Sequence, residues 1–202
     1  MDVLHVSAVL LIAEFVVMIF LAVITPPGLY TPQDVKNRQT NTYPTEDIER
    51  RLEILRVHRT RWIMERITSV ALVLLIIIAF WLLASSLQTS AGSSVAPLGA
   101  VAMIAGTLAG LYFIYRQTID PRGGYHGKYP VAENTAYWLW LIGTLLFGIA
   151  FLQSGLPTWL GIVTAGAALL YGVVYLLTSF GFMTPYLVGL LSLVIGLVLL
   201  GQ

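Results

Sequence analysis

Apolar residues fall along this chain in six long blocks, roughly 3–24, 67–87, 95–115, 135–152, 156–177 and 183–201, separated by more polar stretches. About 20 apolar residues are needed to cross a bilayer as helix, and every block meets or approaches that length, the fourth being the shortest. In lipid only a helix satisfies the donors and acceptors of its own backbone. The expected fold is therefore all-α: a polytopic membrane protein with six transmembrane helices, one domain over residues 1–202.

The polar connections orient those helices. Of the eleven Lys and Arg, eight (Lys36, Arg38, Arg50, Arg51, Arg56, Arg59, Arg61, Arg66) precede the second block and three (Arg116, Arg122, Lys128) lie between the third and fourth. Basic residues stay in the cytoplasm, which places loops 25–66 and 116–134 there and both termini outside, in the cell (inner) membrane. An even number of crossings follows. Pro26, Pro27, Gly28 and Pro32 stop the first helix, and Asn37 to Pro44 is polar and turn-rich. Thr45 is the expected N-cap of one amphipathic cytoplasmic helix, with Glu46 and Asp47 at its positive end. Ile48, Leu52, Leu55 and Trp62 form its apolar stripe, and the pattern runs to Arg66 and on into the second span, whose aliphatic centre is expected to face lipid widely.

Composition agrees and excludes several functions. Only 10% of the residues are charged and 57% are hydrophobic, too little charge to cover a water-facing surface. A net charge of +1 gives no sign of nucleic-acid binding. With no cysteine, thiolate metal sites and disulfides are out of reach. The first block opens with Asp2 and runs into Thr25-Pro26-Pro27-Gly28 without a small-x-small cleavage site, so it is expected to remain as a membrane helix.

One residue does not belong in hydrocarbon. Glu14 sits in the middle of the first block, where a charged carboxylate costs about 3 kcal/mol on insertion scales. No Lys, Arg or His lies at that depth in another block, so the neutral acid is favoured, with hydroxyls as its partners. Thr107, Thr144, Thr164, Ser192 and, off centre, Tyr171 complete this candidate intramembrane site. His5, His58 and His126 are too scattered for a metal or a bis-histidine haem, no span offers a lysine, and no catalytic spacing occurs. No cofactor is expected.

The second basic loop, with Arg116, Arg122, His126 and Lys128 among three glycines, is the candidate contact for a lipid headgroup or other anion. Ala102, Gly106 and Gly110 in the third block, with Gly161, Ala165, Ala168 and Gly172 in the fifth, allow close approach and suggest that these two spans touch. Phe147-Gly148, followed by Gln153-Ser154-Gly155-Leu156-Pro157-Thr158-Trp159-Leu160-Gly161-Ile162 and a final apolar helix, resembles the C-terminal part of uncharacterised bacterial multi-span membrane proteins of unknown function. That resemblance implies no site residues.

Three functions remain in view. The leading one is a non-catalytic accessory or structural subunit of a membrane complex, touching lipids and other membrane subunits or a second copy of itself. The others are a small transporter or channel using Glu14 as its proton-coupling or binding group, and a membrane enzyme or binder for a lipid or terpenoid.

Overall fold

A computed structural model describes residues 2–29, 44–91, 93–125, 130–178 and 184–202. His126, Lys128, Lys36, Arg38, Pro32 and the stretch 37–43 lie outside them. The described residues are all-helical: α1 Val3–Ile24, α2 Thr45–Val57, α3 Arg59–Ala91, α4 Ala96–Ile119, α5 Pro121–Tyr125, α6 Pro130–Gln153, α7 Thr158–Thr178 and α8 Thr184–Leu200. Five of these, α1, α3, α4, α6 and α7, are long and apolar enough to cross a membrane. The sixth expected span, α8, is shorter at 17 residues. The fourth is not short: Pro130 starts α6 ahead of the apolar block, giving 24 residues.

Neighbours in sequence form antiparallel pairs, α1 with α3, α3 with α4, α4 with α6 and α6 with α7. Gly155, at φ +72°, makes the tight turn between α6 and α7. Helix α8 breaks the series by leaving α7 almost untouched and packing on α1. A Cβ on Gly196 would lie 2.8 Å from the Ala8 carbonyl and one on Gly189 would lie 2.5 Å from Met18 Sδ. As position rises along α1 it falls along α8, so the two run antiparallel and both chain ends lie at one end of the bundle.

The core runs through the middle of this arrangement. Leu11 of α1, Phe80 and Leu83 of α3, Met103 of α4, Phe147 and Phe151 of α6, Leu160 of α7 and Leu199 of α8 are all buried in it. Helix α3 does not face lipid widely, because Val73, Ile76, Ala79, Phe80, Leu83 and Leu87 form a buried stripe while Leu74, Ile78 and Trp81 stay exposed. The expected contact between the third and fifth spans is replaced by contacts to the fourth. Gly106 abuts Ala136 and Trp140 of α6, and Gly161 abuts Leu152 and the Gly148 carbonyl of α6. The short 154–157 connection forces α7 beside α6, which leaves Gly172 with open space around it.

The described parts of both basic loops gather at the opposite end from the termini. Arg122 of α5 pairs with Glu49 of α2, and Arg50 Nη1 donates to the Gly28 carbonyl. The helix expected from Thr45 to Arg66 is interrupted at His58 (φ −105°, ψ 35°), and residues 59–66 belong to α3. Thr45 is not the cap: Pro44 takes that place, and its carbonyl accepts from Asp47 and Ile48 N–H at 3.1 and 3.3 Å. Ile48, Arg51 and Leu55 point inward from α2, where Leu55 meets Leu29, Ile54 and Trp62 in a satellite cluster.

Candidate functional site

Glu14 points into the bundle because of its register. Ser7, Leu11, Glu14 and Met18 follow one another at helical spacing and form the buried stripe of α1. On the facing helix, Gly189 and Gly196 are seven residues apart and remove the side chains that would hold α8 away. Ser192 lies between them, and its Oγ donates to Glu14 Oε1 at 3.1 Å. Glu14 is 2% exposed, and its Oε2 is shielded with no hydrogen-bond partner.

Two of the other hydroxyls expected around it, Thr107 and Thr144, are committed elsewhere. Thr107 Oγ1 donates to the Met103 carbonyl at 2.7 Å and accepts from Trp140 Nε1 at 3.0 Å. Thr144 Oγ1 donates to the Trp140 carbonyl at 2.7 Å. Such bonds to the preceding turn are the ordinary refuge of a hydroxyl in a helix with no other acceptor. Thr164 Oγ1 is buried without a partner. Tyr171 is half-exposed on α7 and reaches neither cavity described below.

Two spaces adjoin the Glu14–Ser192 pair. A cavity of about 150 Å³ lies among α1, α3, α4, α6 and α8, lined by Met18, Leu21, Leu72, Val73, Ile76 and Ile114, with Glu14, Thr107, Ser69 and the Trp140 edge as its polar members. That volume matches an apolar cavity able to admit a benzene ring. Ser69 adds little polarity, since its hydroxyl donates to the Glu65 carbonyl at 2.8 Å. A smaller void of about 10 Å³, room for one water, touches Thr144, Thr164 and Ser192.

The arrangement can therefore receive a ring-sized apolar group beside the Glu14 carboxyl. No second carboxylate, His, Lys or Arg lines either space, so nothing beside Glu14 serves as an acid–base partner among the described residues. Among those residues, no group of three or more His, Asp or Glu gathers where a metal could be held. The sequence pattern missed Trp140, which reads as an interfacial aromatic, and Ser69. The signal for Trp140 was Gly106 and Gly110 on α4, whose missing side chains admit the indole: a Cβ on Gly106 would lie 3.0 Å from Trp140 Cδ1.

Of the expected headgroup contacts, only Arg116 and Arg122 lie within the described residues. Arg116 belongs to α4 and is engaged within the chain, Arg122 is paired with Glu49, and His126 and Lys128 are outside the described residues. Comparison with protein-family models, with curated proteins and with solved structures finds no match to this chain.

Proposed function

We propose that this chain is a six-span protein of the cell (inner) membrane that acts as a non-catalytic binding component: it takes a ring-sized apolar group from a lipid or terpenoid and fixes that group's polar atom on Glu14. The observation carrying this reading is the apolar cavity ending at a carboxyl with one unbonded oxygen. A buried polar atom without a partner is uncommon in proteins, and a ligand oxygen or hydroxyl at that point satisfies it. Six crossings with both termini outside are supported by the antiparallel α1–α8 pair and by the basic residues at the other end. A helix of 17 residues spans about 26 Å, which a bilayer core of about 30 Å accommodates by local thinning.

The test is purification of wild type, Glu14→Leu and the cavity-filling Val73→Phe in mild detergent, followed by mass spectrometry of the extracted lipophiles. One ring-bearing lipophile should accompany the wild type in near-equal amount and be lost from both variants. Identical extracts from all three would overturn the reading. A second reading is favoured by the Ser192–Glu14 bond itself: polar glue between the first and last helices of an accessory subunit, worth about 0.6–2 kcal/mol. In that case the variants lose stability and no ligand.

A further inference from the structure

A second buried polar group, separate from Glu14, occupies the loop-side end of the bundle. Trp62, Glu65 and Arg66 lie within the first turns of α3, and Gln117 faces them from the last turn of α4. Arg66 Nη1 donates to Gln117 Oε1 at 3.4 Å, and the guanidinium carbon lies 5.8 Å from the centre of the Trp62 ring. One corner of the guanidinium and one face are thus taken. Its remaining edge, Nε with Nη2, is shielded from solvent and meets no acceptor. Glu65 Oε1 is 3.9 Å from Nη2, a charge neighbour beyond hydrogen-bonding distance. Trp62 Nε1 also lacks an acceptor, and Glu65 Oε2 lacks a donor.

These loose ends share one chemistry. The Nε and Nη2 hydrogens of a guanidinium project side by side, spaced for two oxygens of one phosphate or carboxylate. The Trp62 indole N–H asks for a further acceptor, which the third oxygen of a phosphate supplies while the other two meet the fork. The open Glu65 oxygen asks for a donor beside that phosphate, either an ammonium or a hydroxyl. Arginine suits this task where lysine does not, because the fork is rigid and planar. We propose that the Arg66 edge, with Trp62 Nε1 and Glu65 Oε2, is a seat for a phosphate group carrying an adjacent ammonium or hydroxyl, as in phosphoethanolamine or phosphoglycerol headgroups. Gln117 is its positioning residue, since it fixes the plane of the guanidinium. The start of α3 lies at the end of the bundle where the two basic loops meet, the depth at which headgroups of the cytoplasmic leaflet lie in the six-span reading. The exposed Arg122 is not part of the seat.

The experiment is native mass spectrometry of the full chain in an uncharged detergent, titrated separately with phosphatidylethanolamine, phosphatidylglycerol, phosphatidylcholine and inorganic phosphate. One molecule of phosphatidylethanolamine or phosphatidylglycerol should bind at least tenfold more tightly than phosphatidylcholine, whose headgroup has no N–H or O–H donor. Arg66→Lys, which keeps the charge and removes the fork, should weaken that binding at least tenfold, and Trp62→Phe several-fold. Arg122→Ala should leave it unchanged. Competition by inorganic phosphate at equal concentration supports the seat and makes its source a soluble phosphate; failure to compete supports a lipid source. The proposal is overturned if Arg66→Lys binds like wild type, if Arg122→Ala weakens binding as much as Arg66→Lys does, or if phosphatidylcholine binds as tightly as the other two lipids. Extraction of the Glu14 lipophile is read separately, so either site can fail alone.

Discussion

Helix α7 depends on α6 for nearly all of its packing, and the seam between them has no spare room at Gly148. A methyl group there would lie 2.5 Å from Ala165 N, 2.7 Å from Ala165 Cβ and 2.8 Å from Ala165 Cα. Carbon atoms are at rest about 3.5–4.0 Å apart, so Gly148→Ala obliges the backbone of α7 to retreat by about 1 Å. A flexible side chain could swing aside; a helix backbone cannot. Overpacking of this kind costs about 1–3 kcal/mol, and in a chain of this size each kcal/mol lowers the melting midpoint by about 2–4 °C. Gly148→Ala should therefore melt about 2–12 °C below wild type in a detergent thermal scan read by circular dichroism. Gly166 and Gly172, on the same α7, have nothing within 4 Å of an added Cβ. Alanine at either removes a poor helix former, so those variants should be neutral or more stable by up to about 1 kcal/mol. Opposite signs for the same substitution are the signature of the crossing. The reasoning fails if Gly148→Ala melts at or above wild type, or if all three variants fall together.

Three further outcomes follow from contacts described above. Ser192→Ala removes the donor to Glu14 Oε1 and should destabilise by about 1–3 kcal/mol, while Glu14→Gln, which can still accept from Ser192, should lose less; equal losses in a thermal scan would refute the assigned bond. At the start of α1, the Asp2 carboxyl accepts from His5 N–H at 2.9 Å and contacts His5 Nδ1 at 2.8 Å. The backbone bond from His5 is the largest of the influences that hold the Asp2 carboxyl below its usual value. A lowered value in the folded state means that the cap contributes above the ordinary aspartate range and is lost as pH falls through the folded value. The protection factor of the His5 amide, its exchange rate relative to the intrinsic rate at each pH, should fall on acidification in wild type, and an Asp2→Asn variant should show no such step. The Glu49–Arg122 pair is solvent-exposed, so Glu49→Ala should change stability by no more than about 1 kcal/mol, and a melting shift beyond about 4 °C would show that the pair does more than an exposed ion pair can.

The legible part of this molecule was whatever hydrocarbon dictates. Block length gave the helices, and the lone Glu14 was found because any carboxylate at that depth stands out against aliphatic neighbours. The meeting of Glu14 with Ser192 was legible only as a shortlist, since five hydroxyl-bearing residues were equally available and sequence cannot tell which will turn back onto its own helix. Thr107 and Thr144 did so. Small-residue spacing marked the right faces of α4 and α7 but the wrong partner, because Gly106 and Gly161 say how closely something may approach and not what. The short 154–157 connection held that information. The break at His58 left no trace in the apolar pattern, which continues across it. The open fork of Arg66 was hidden because a count of basic residues treats every arginine as a charge for topology, whereas the chemistry lies in which of its nitrogens remain unbonded.

The pairing of α1 with α8 sets a timetable for the ribosome. The acid of the first helix enters the membrane about 180 residues of synthesis before its serine, as the bond between positions 14 and 192 requires. Until the last segment emerges, Glu14 lacks the Ser192 hydroxyl, and α3, which also packs on α1 and is made earlier, is the first helix able to cover it.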